Sequence, residues 1–413
     1  MASELPADLP TGTAVIGQSG GPTAVINQSL VGVALGLRQG LHKSGQVTKV
    51  LGMRNGVRGL TEGRLTDMTD LSEAMLDRVA HTPSAALGST RDKPDADYCQ
   101  RIFESCRTID ARYFFYIGGN DSSDTCRIVS EAAKAADYDL RCVHVPKTVD
   151  NDLVGNDHTP GYASAARFVA LAHMADGMDN AALPGIKINV VMGRHAGFLT
   201  AAAAAARHEE HAGPHLVYVP EVPFLTDRFV QDVAKVYDEL GRCHIAVSEG
   251  IQDKDGVAIG ALLMGEEKDA HGNVQLSGSG ALGDQLSNLL KAKLKPQGGK
   301  PPRVRADTLG YLQRCYPDAS PVDAREARMV GIAAAELAAQ GHSGISITLE
   351  RTSSIGPNEA YQCRAGVQRL EDVAAKTRHL PPEYIEGHHG VSEAFLHYVR
   401  PLIGALPPFE LLE

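Results

Sequence analysis

The chain has 413 residues, of which 43% are apolar and 22% are charged, and its formal net charge is −10. One hydrophobic core seldom organises so many residues, so the length predicts two domains or one large α/β unit. The acidic balance argues against a nucleic-acid partner and an anionic membrane surface. It leaves a phosphorylated substrate open, because local basic residues can outweigh a distant acidic surface.

Cysteine usage and hydropathy predict a reduced, cytoplasmic protein. The seven cysteines are scattered along the chain and form no C-x-x-C pair. This pattern is typical of structural thiols rather than of disulfides or a metal knuckle. The acidic N-terminus lacks the basic and apolar segments of a signal peptide, and no apolar run approaches the length of a membrane span.

The N-terminal part of the chain alternates between strand patterns and helical patterns. One apolar run ends at Ser19-Gly20-Gly21 and an aromatic run ends at Gly118-Gly119, and a helical pattern follows each. The predicted elements are, in chain order, strand 13–18, helix 24–39, strand 47–53, helix 97–109, strand 113–117, a helix that reaches Ala136, and strand 141–145, which Pro146 stops.

The same alternation continues through the rest of the chain. The predicted elements are helix 162–178, strand 186–192, helix 198–207, strand 216–219, helix 227–240, strand 244–248, strand 304–309, helix 323–340 and strand 344–349. Strands that alternate with helices indicate mainly parallel sheets with helices on both faces.

The predicted strands are too many for one sheet, so we predict an α/β fold of two doubly wound, Rossmann-like domains with mainly parallel sheets. The active site would lie in the cleft between them, at the carboxyl ends of the strands. A (β/α)8 barrel is the competing architecture. Uneven element spacing and a long polar stretch at 252–280 disfavour it, and residues 295–302 come nearest to a linker.

Three clusters of glycine and polar residues follow predicted strands. The first, Gly20-Gly21, would let backbone amides approach a phosphate beside a helix N-terminus. The second, at residues 118–125, adds hydroxyl, amide and carboxylate groups that suit phosphate and Mg²⁺. Taken singly, each has a plain structural explanation as a turn or an N-capped helix.

The third cluster runs from Pro146 to Asp152. On extended chain Asp150 and Asp152 point the same way, so one could accept a proton from an attacking hydroxyl while the other helps to hold a metal. Lys147 offers a point charge to a phosphoryl oxygen. Three such clusters at three strand ends predict a phosphoryl-transfer site.

Several motifs in the same order make the chain similar to the phosphofructokinase family over roughly residues 12–350. They are Gly20-Gly21 with Asn27 in the helix behind, LGSTR at 87–91, the two clusters just described, MGRHAG at 192–197, PEVPF at 220–224, SEG at 248–250 and RADTLGYLQR at 305–314. The resemblance implies phosphorylation of the 1-hydroxyl of fructose 6-phosphate with Mg²⁺ as the cofactor. It also implies small-molecule substrates only, with no nucleic-acid or membrane partner, and a homodimer or homotetramer.

The resemblance further implies roles for individual residues. Asp150 matches the general base, Asp152 a supporting carboxylate and Thr148 a neighbour of the transferred group, while Lys147 and Arg194 complete the catalytic set. The implied pyrophosphate site is Gly20, Gly21, Arg91, Asp121, Ser122 and Lys147. The implied fructose 6-phosphate site is Thr148, Asp150, Met192, Gly193, Arg194, Glu249, Arg305, Tyr311 and Arg314. The implied metal ligands are Asn120, Asp121 and Asp152.

Two positions point to inorganic pyrophosphate as the phosphoryl donor. ATP-dependent relatives carry glycine where this chain has Asp121 and Lys147, and pyrophosphate-dependent relatives carry aspartate and lysine. A carboxylate at Asp121 would repel the α-phosphate of a nucleotide, and Lys147 would pair with the shorter donor. Tyr311, where ATP users commonly have histidine, agrees with this interpretation.

Two alternatives stay open, and one departure from the family pattern supports the second of them. Asn120 stands where most relatives have a metal-binding aspartate, and it offers a carbonyl oxygen without the charge. The alternatives are an ATP-dependent 6-phosphofructokinase and a catalytically silent regulatory or sensor homologue.

For the domains, we expect residues 1–160 with 314–372 to bind the donor and the metal, and residues 161–313 with 373–413 to bind fructose 6-phosphate.

Overall fold

The computed structural model describes residues 6, 8–93, 95–264, 280–294, 302–357 and 359–409. The strands are β1 Gly12–Gln18, β2 Val47–Met53, β3 Leu65–Asp67, β4 Ala111–Gly118, β5 Arg141–Pro146, β6 Ile186–Val191, β7 Leu216–Tyr218, β8 Cys243–Ser248, β9 Val304–Thr308, β10 Ile345–Arg351, β11 Cys363–Arg369, β12 Ile385–Glu386 and β13 Gly390–Val391.

Helices connect most of these strands. They are α1 Ile26–Leu37, α2 Val57–Thr61, α3 Glu73–Ala80, α4 Ala96–Thr108, α5 Asn120–Ala135, α6 Tyr162–Ala182, α7 Phe198–Ala202, α8 Thr226–Leu240, α9 Ile259–Met264, α10 Ala281–Lys293, α11 Leu312–Cys315, α12 Pro321–Ala339, α13 Leu370–Val373 and α14 Glu393–Ile403. Within the described ranges, no helix has the length and apolarity needed to cross a membrane.

A seven-stranded sheet forms the first layer, in the order β11-β10-β5-β4-β1-β2-β3. Its five central strands are parallel, and β3 and β11 pair antiparallel at the two edges. Both faces of the sheet are buried. Ala14 and Ile16 of β1 pack with α1 and α12, whereas Val15 between them packs with α4 and α5 on the other face. Because helices cover both faces, the strand is buried at every position.

A smaller, all-parallel sheet has the order β7-β8-β6-β9. Val191 and Ala246 on one face contact α6, α7 and α14, and Ile188 and Ile245 on the other contact α8 and α10. Two open sheets with helices on both faces confirm the predicted fold class and exclude a closed barrel.

Most predicted elements agree with the structure to within a few residues, and the misses lie mainly toward the C-terminus. The predictions omitted the edge strands β3 and β11, helices α2, α3, α9, α10, α11, α13 and α14, and the short β12–β13 hairpin. The helical pattern at 198–207 becomes α7 followed by a 3-10 segment, Ala203–Ala206. Residues 295–301 of the linker-like stretch and residues 265–279 of the polar stretch lie outside the described residues.

Candidate active site

A cavity of about 460 Å³ lies where strands of both sheets end. The segments that follow β1, β4 and β5 of the large sheet line it together with the segments that follow β6 and β8 of the small sheet. Carboxyl ends of parallel strands meet at one edge, so the three polar clusters are brought together there. A volume of this size suits a small-molecule site.

Most of the residues predicted for the site line this cavity. Those in its wall are Gly20, Gly21, Arg91, Asn120, Asp121, Ser122, Lys147, Thr148, Asp150, Asp152, Met192, Arg194, Glu249 and Arg314. Three predicted residues lie outside the wall. Gly193 supports a neighbouring turn at φ 121°, Arg305 is exposed on β9, and Tyr311 stacks on Arg314 with 4.2 Å between the guanidinium carbon and the ring centroid.

Lys147 is a buried cation, with 3% of its surface exposed. Its Nζ donates a hydrogen bond of 2.7 Å to the carbonyl oxygen of Gly21. Burial and the nearby Arg314 lower the pKa of Lys147 to about 8, against the attraction of Asp150 and Asp152. A surface lysine is therefore excluded, and the ammonium group lies among the groups that would handle a phosphoryl donor.

The first glycine pair acts differently from its predicted role. The amide of Gly20 donates to the carbonyl of Thr90 at 2.8 Å, so it is not free to bind a phosphate. Helix α1 begins only at Ile26. The glycines instead make room for cations: a Cβ at Gly20 would lie 3.1 Å from Lys147 Nζ, and one at Gly21 would lie 3.0 Å from the Arg314 guanidinium. Gly20 also has a φ of 76°, which favours glycine.

The N-terminus of α5 opens into the cavity. Gly119 caps the helix, and Gly119, Asn120, Asp121 and Ser122 all contribute to the wall. The Ser122 hydroxyl lies 2.7 Å from that of Ser19, which joins the second cluster to the first. The N-terminus of this 16-residue helix faces the cavity, and the partial positive charge of a helix N-terminus favours an anion there.

The loop after β5 carries two carboxylates into the same space. It is not extended, as the sequence pattern had suggested, because Asn151 has a φ of 60°. Asparagine tolerates this left-handed conformation better than most residues. The turn still directs both Asp150 and Asp152 to the cavity wall. The amide of Asp150 donates to Thr148 Oγ1 at 3.1 Å, which fixes the start of the turn.

The carboxylate of Asp150 has the properties of a proton acceptor. Its Oδ1 is buried and has no hydrogen-bond partner among the described residues. Burial, together with the neighbouring Asp152 and Glu249, raises the pKa of Asp150 to about 7. Burial also raises the pKa of Asp152. Because the two carboxylates interact, they titrate as a pair, and one of them is poised near neutral pH, where a general base works best.

Oxygen ligands for a divalent cation lie beside this pair. Asn120 Nδ2 donates to Asp152 Oδ2 at 3.2 Å, which leaves Asn120 Oδ1 pointing elsewhere. That oxygen is buried and unpartnered among the described residues. A carboxamide oxygen with an adjacent carboxylate is a donor set that fits Mg²⁺.

Asp121 lies at the exposed mouth of the cavity rather than at its base. Its side chain is 61% exposed and forms an ion pair with Lys93 at 3.4 Å, and Lys93 is itself 76% exposed. The two residues expected to distinguish the donors therefore occupy different depths. Lys147 is buried beside the first glycine pair, and Asp121 is exposed at the mouth.

The small sheet supplies the other wall. Glu249 follows β8 and is 6% exposed, and burial raises its pKa although Arg194 and Arg314 oppose this. Gln313 is buried and accepts a hydrogen bond of 3.2 Å from the amide of Met192 through Oε1. This contact holds α11, which carries Arg314, against the end of β6.

A buried polar network supports the Asp150–Asp152 turn from behind. Asn151 Nδ2 donates to the hydroxyl of Tyr398 at 2.8 Å, and that hydroxyl donates to the carbonyl of Asp157 at 2.8 Å. His158 lies fully buried between Asp157 and Glu326, at 2.8 and 2.6 Å. Burial lowers the pKa of His158, but these two carboxylates outweigh it and raise the pKa to about 9.

The sequence did not predict this buried network or several residues of the cavity wall. Ser19, Thr90, Asp92, Lys93 and His195 also line the cavity. Ser19 and Thr90 stand inside motifs already recognised, so their neighbours could have indicated them. The network residues Tyr398 and Glu326 lie more than 160 residues from their partners in the chain, and no local pattern marks them.

The chain is similar in sequence and in structure to known phosphofructokinases. A profile of the family described as phosphofructokinase matches residues 13–338. The chain is 54% identical over 396 residues to the pyrophosphate–fructose 6-phosphate 1-phosphotransferase of Rhodospirillum rubrum, covering 95% of this chain and 94% of that relative. The enzyme of the same name from Halomonas elongata is 36% identical over 406 residues, covering 95% and 92%. The crystal structure of a pyrophosphate-dependent phosphofructokinase from Nitrosospira multiformis superposes with a TM-score of 0.83 at 32% identity, covering 97% and 94%.

Proposed function

The chain belongs to the phosphofructokinase family, and we propose that it reversibly transfers a phosphoryl group from inorganic pyrophosphate to the 1-hydroxyl of fructose 6-phosphate. The products are fructose 1,6-bisphosphate and phosphate. The observation that carries this proposal is the buried Lys147 beside the Asp150–Asp152 pair in one cavity. The names of the two relatives from Rhodospirillum rubrum and Halomonas elongata agree with the same reaction.

Asp150 supplies the general base. Its unpartnered Oδ1 accepts the proton of the sugar hydroxyl as that oxygen forms its bond to phosphorus. The bridging P–O bond breaks, and inorganic phosphate leaves with the bonding electrons. Phosphoryl transfer is driven mainly by positioning and charge stabilisation, so a base with a pKa of about 7 is sufficient at neutral pH.

The cations of the cavity hold the donor. Lys147 lies where the terminal phosphate of pyrophosphate would reach the base of the cavity, and Arg91 and Arg194 flank it from more exposed positions. The N-terminus of α5 adds backbone donors and a favourable dipole. At the mouth, Asp121 opposes a donor that continues into a third phosphate, which disfavours ATP by charge repulsion.

Asn120 and Asp152, with Asp121 at the mouth, would hold Mg²⁺. The unpartnered Asn120 Oδ1 and the carboxylate of Asp152 fit this ion. When bound, Mg²⁺ neutralises charge on the phosphoryl oxygens. Asn120 contributes no charge of its own, so the two aspartates carry the electrostatic part of this role.

The sugar phosphate would occupy the side of the cavity formed by the small sheet. Met192, Arg194, Glu249 and Arg314 face it directly. Arg305 and Tyr311 lie outside the wall of a single chain, and we retain them as predicted contacts, together with the predicted homodimer or homotetramer. The two sheets support the predicted division into a donor domain and a sugar domain, and this division stays a prediction.

A direct test combines donor choice with removal of the base. Fructose 6-phosphate and Mg²⁺ are supplied with pyrophosphate or ATP, and fructose 1,6-bisphosphate is followed by ³¹P NMR. We expect turnover with pyrophosphate, and Asp150→Asn should lose about 10²–10⁴-fold of it. Asp97→Asn, an exposed residue of α4, is the control and should change nothing. Turnover with ATP alone would support the ATP-dependent alternative, and a folded protein inactive with both donors would support the silent homologue.

A further inference from the structure

A second group of ligating side chains lies outside the cavity described above. Asp232 on α8 and the adjacent His388 and His389, in the turn between β12 and β13, bring their ligand atoms within 4.8 Å of one another. Among the described residues, this is the one group of three histidine, cysteine or acidic side chains that meets this criterion. All three are partly buried, with side-chain exposures of 16%, 25% and 34%. The motifs of the sequence include none of these residues.

We propose that Asp232, His388 and His389 form a site for a divalent transition-metal ion of the zinc type. The proposal is independent of the phosphoryl-transfer function, because none of the three residues lines that cavity. Two imidazoles and one carboxylate are ligands that Zn²⁺, Co²⁺ and Ni²⁺ prefer and that Mg²⁺ does not.

The distances fit a tetrahedral ion after small side-chain rotations. His388 Nε2 lies 2.8 Å from Asp232 Oδ2, and His389 Nε2 lies 3.9 Å from Asp232 Oδ1. With bonds of about 2.1 Å, two ligand atoms of a tetrahedral ion are about 3.4 Å apart. The ligand atoms of the three side chains all lie within 4.8 Å of one another, so side-chain rotation would bring them to that spacing. A hydrogen bond between Asp232 and His388 accounts for the shorter distance, but it does not account for the second imidazole on the other carboxylate oxygen.

Surrounding contacts hold the ligands in place. The hydroxyl of Tyr218 donates to Asp232 Oδ2 at 3.1 Å and so orients the carboxylate. The carbonyl of His389 accepts from the amide of Val217 at 2.9 Å, which attaches the turn to β7. Gly387 has a φ of 62° and allows the turn to fold back toward α8. Such outer contacts are a normal feature of metal sites.

The site also has access to solvent and an open coordination position. His388 and His389 form part of the wall of a cavity of about 540 Å³, which His211, His215 and Glu239 also line. Three protein ligands beside such a space leave room for water or a small anion as the fourth ligand. Bound metal would link the β12–β13 turn to α8 and stabilise that region.

The test is metal binding to the whole chain after treatment with EDTA. With excess Mg²⁺ present to fill the proposed site at Asn120 and Asp152, isothermal titration with ZnCl₂ should show one site, and Co²⁺ should give the visible absorption of a tetrahedral ion. His388→Ala and His389→Ala should each weaken binding at least about tenfold, and Tyr218→Phe about tenfold. His211→Ala, on the wall of the same cavity, is the control and should stay within about twofold of the unaltered chain.

The Asp232→Asn variant distinguishes loss of metal binding from misfolding. It keeps the volume of the side chain and a hydrogen-bond acceptor for Tyr218 while it removes the charge. We expect normal thermal unfolding without metal and loss of the zinc-induced rise in Tm. No zinc binding to the unaltered chain, or binding that is equal in the His388→Ala, His389→Ala and His211→Ala variants, would overturn the proposal.

Discussion

Replacing Lys147 by methionine should distinguish the effect of the ammonium group on donor binding from its effect on the stability of the fold. Methionine keeps the length of the side chain and removes the ammonium group. A hydrogen bond that involves a charged group contributes about 1.5–3 kcal/mol, which corresponds to about 10–150-fold in affinity. We therefore expect kcat/KM for pyrophosphate to fall by about 10–150-fold in steady-state assays, whereas KM for fructose 6-phosphate should change by less than about threefold.

The same substitution that lowers activity should not lower the stability of the protein. The pKa of Lys147 is lowered to about 8 from an ordinary value near 10.4. A change of one in pKa corresponds to about 1.36 kcal/mol, so burying this charge costs about 3 kcal/mol. A lowered lysine pKa imposes its full cost below pH 8, and the cost disappears as the pH rises toward the ordinary value. The Tm of Lys147→Met at pH 7 should therefore not fall below that of the unaltered chain.

The exposed Lys93 on the same cavity wall provides a matched control. Lys93→Met should change kcat/KM for pyrophosphate by less than about threefold, because a mostly exposed ion pair contributes little. If Lys147→Met keeps kcat/KM for pyrophosphate within threefold of the unaltered chain, the role given to the buried ammonium is refuted.

Three further predictions concern the base, the support network and the metal. The pH profile of kcat/KM should fall below about pH 7, where Asp150 becomes protonated, and above about pH 8, where Lys147 loses its charge; a flat profile between pH 6 and 9 would contradict this. His158→Gln should lower the free energy of unfolding in urea by about 3–5 kcal/mol near pH 6. Because the pKa of His158 is raised, that difference should shrink as the pH rises through about 9, and a constant difference would be inconsistent with a buried imidazolium. Asn120→Asp should lower the Mg²⁺ concentration for half-maximal activity several-fold, and unchanged magnesium dependence would remove Asn120 from the metal site.

Periodic apolar patterns were sufficient to predict the sheets. β1, β4 and β5 are buried at nearly every position because helices cover both of their faces, and their apolar runs, such as residues 113–117, indicate a parallel sheet. The antiparallel edge strand β11 was missed because it lacks a regular alternation of apolar and polar residues: Ala365 and Gly366 are half-buried side by side, and Val367 is exposed. Helix α14 follows a short hairpin near the C-terminus and contains Pro401, which masks its helical pattern.

The sequence predicted most of the residues that line the cavity, but it predicted the geometry of the cavity less well. Residues such as Lys147 and Asp150 were found because glycine and polar residues after strands share one edge of a sheet. The occupied amide of Gly20 and the left-handed Asn151 could not be found, because hydrogen-bond partners and dihedral angles depend on distant segments. The network around His158 was missed for the same reason, because its partner Glu326 lies 168 residues away in the chain.

Donor preference of the unaltered chain is the most direct measurement of the central claim. Initial rates of fructose 1,6-bisphosphate formation are measured at saturating fructose 6-phosphate and Mg²⁺, with pyrophosphate or ATP varied separately. In the proposed site, Lys147 at the base of the cavity would attract pyrophosphate, and Asp121 at its mouth would repel the additional phosphate of ATP. These two charges together predict a kcat/KM for pyrophosphate that exceeds that for ATP by about 100-fold or more. An equal or higher kcat/KM for ATP would contradict it.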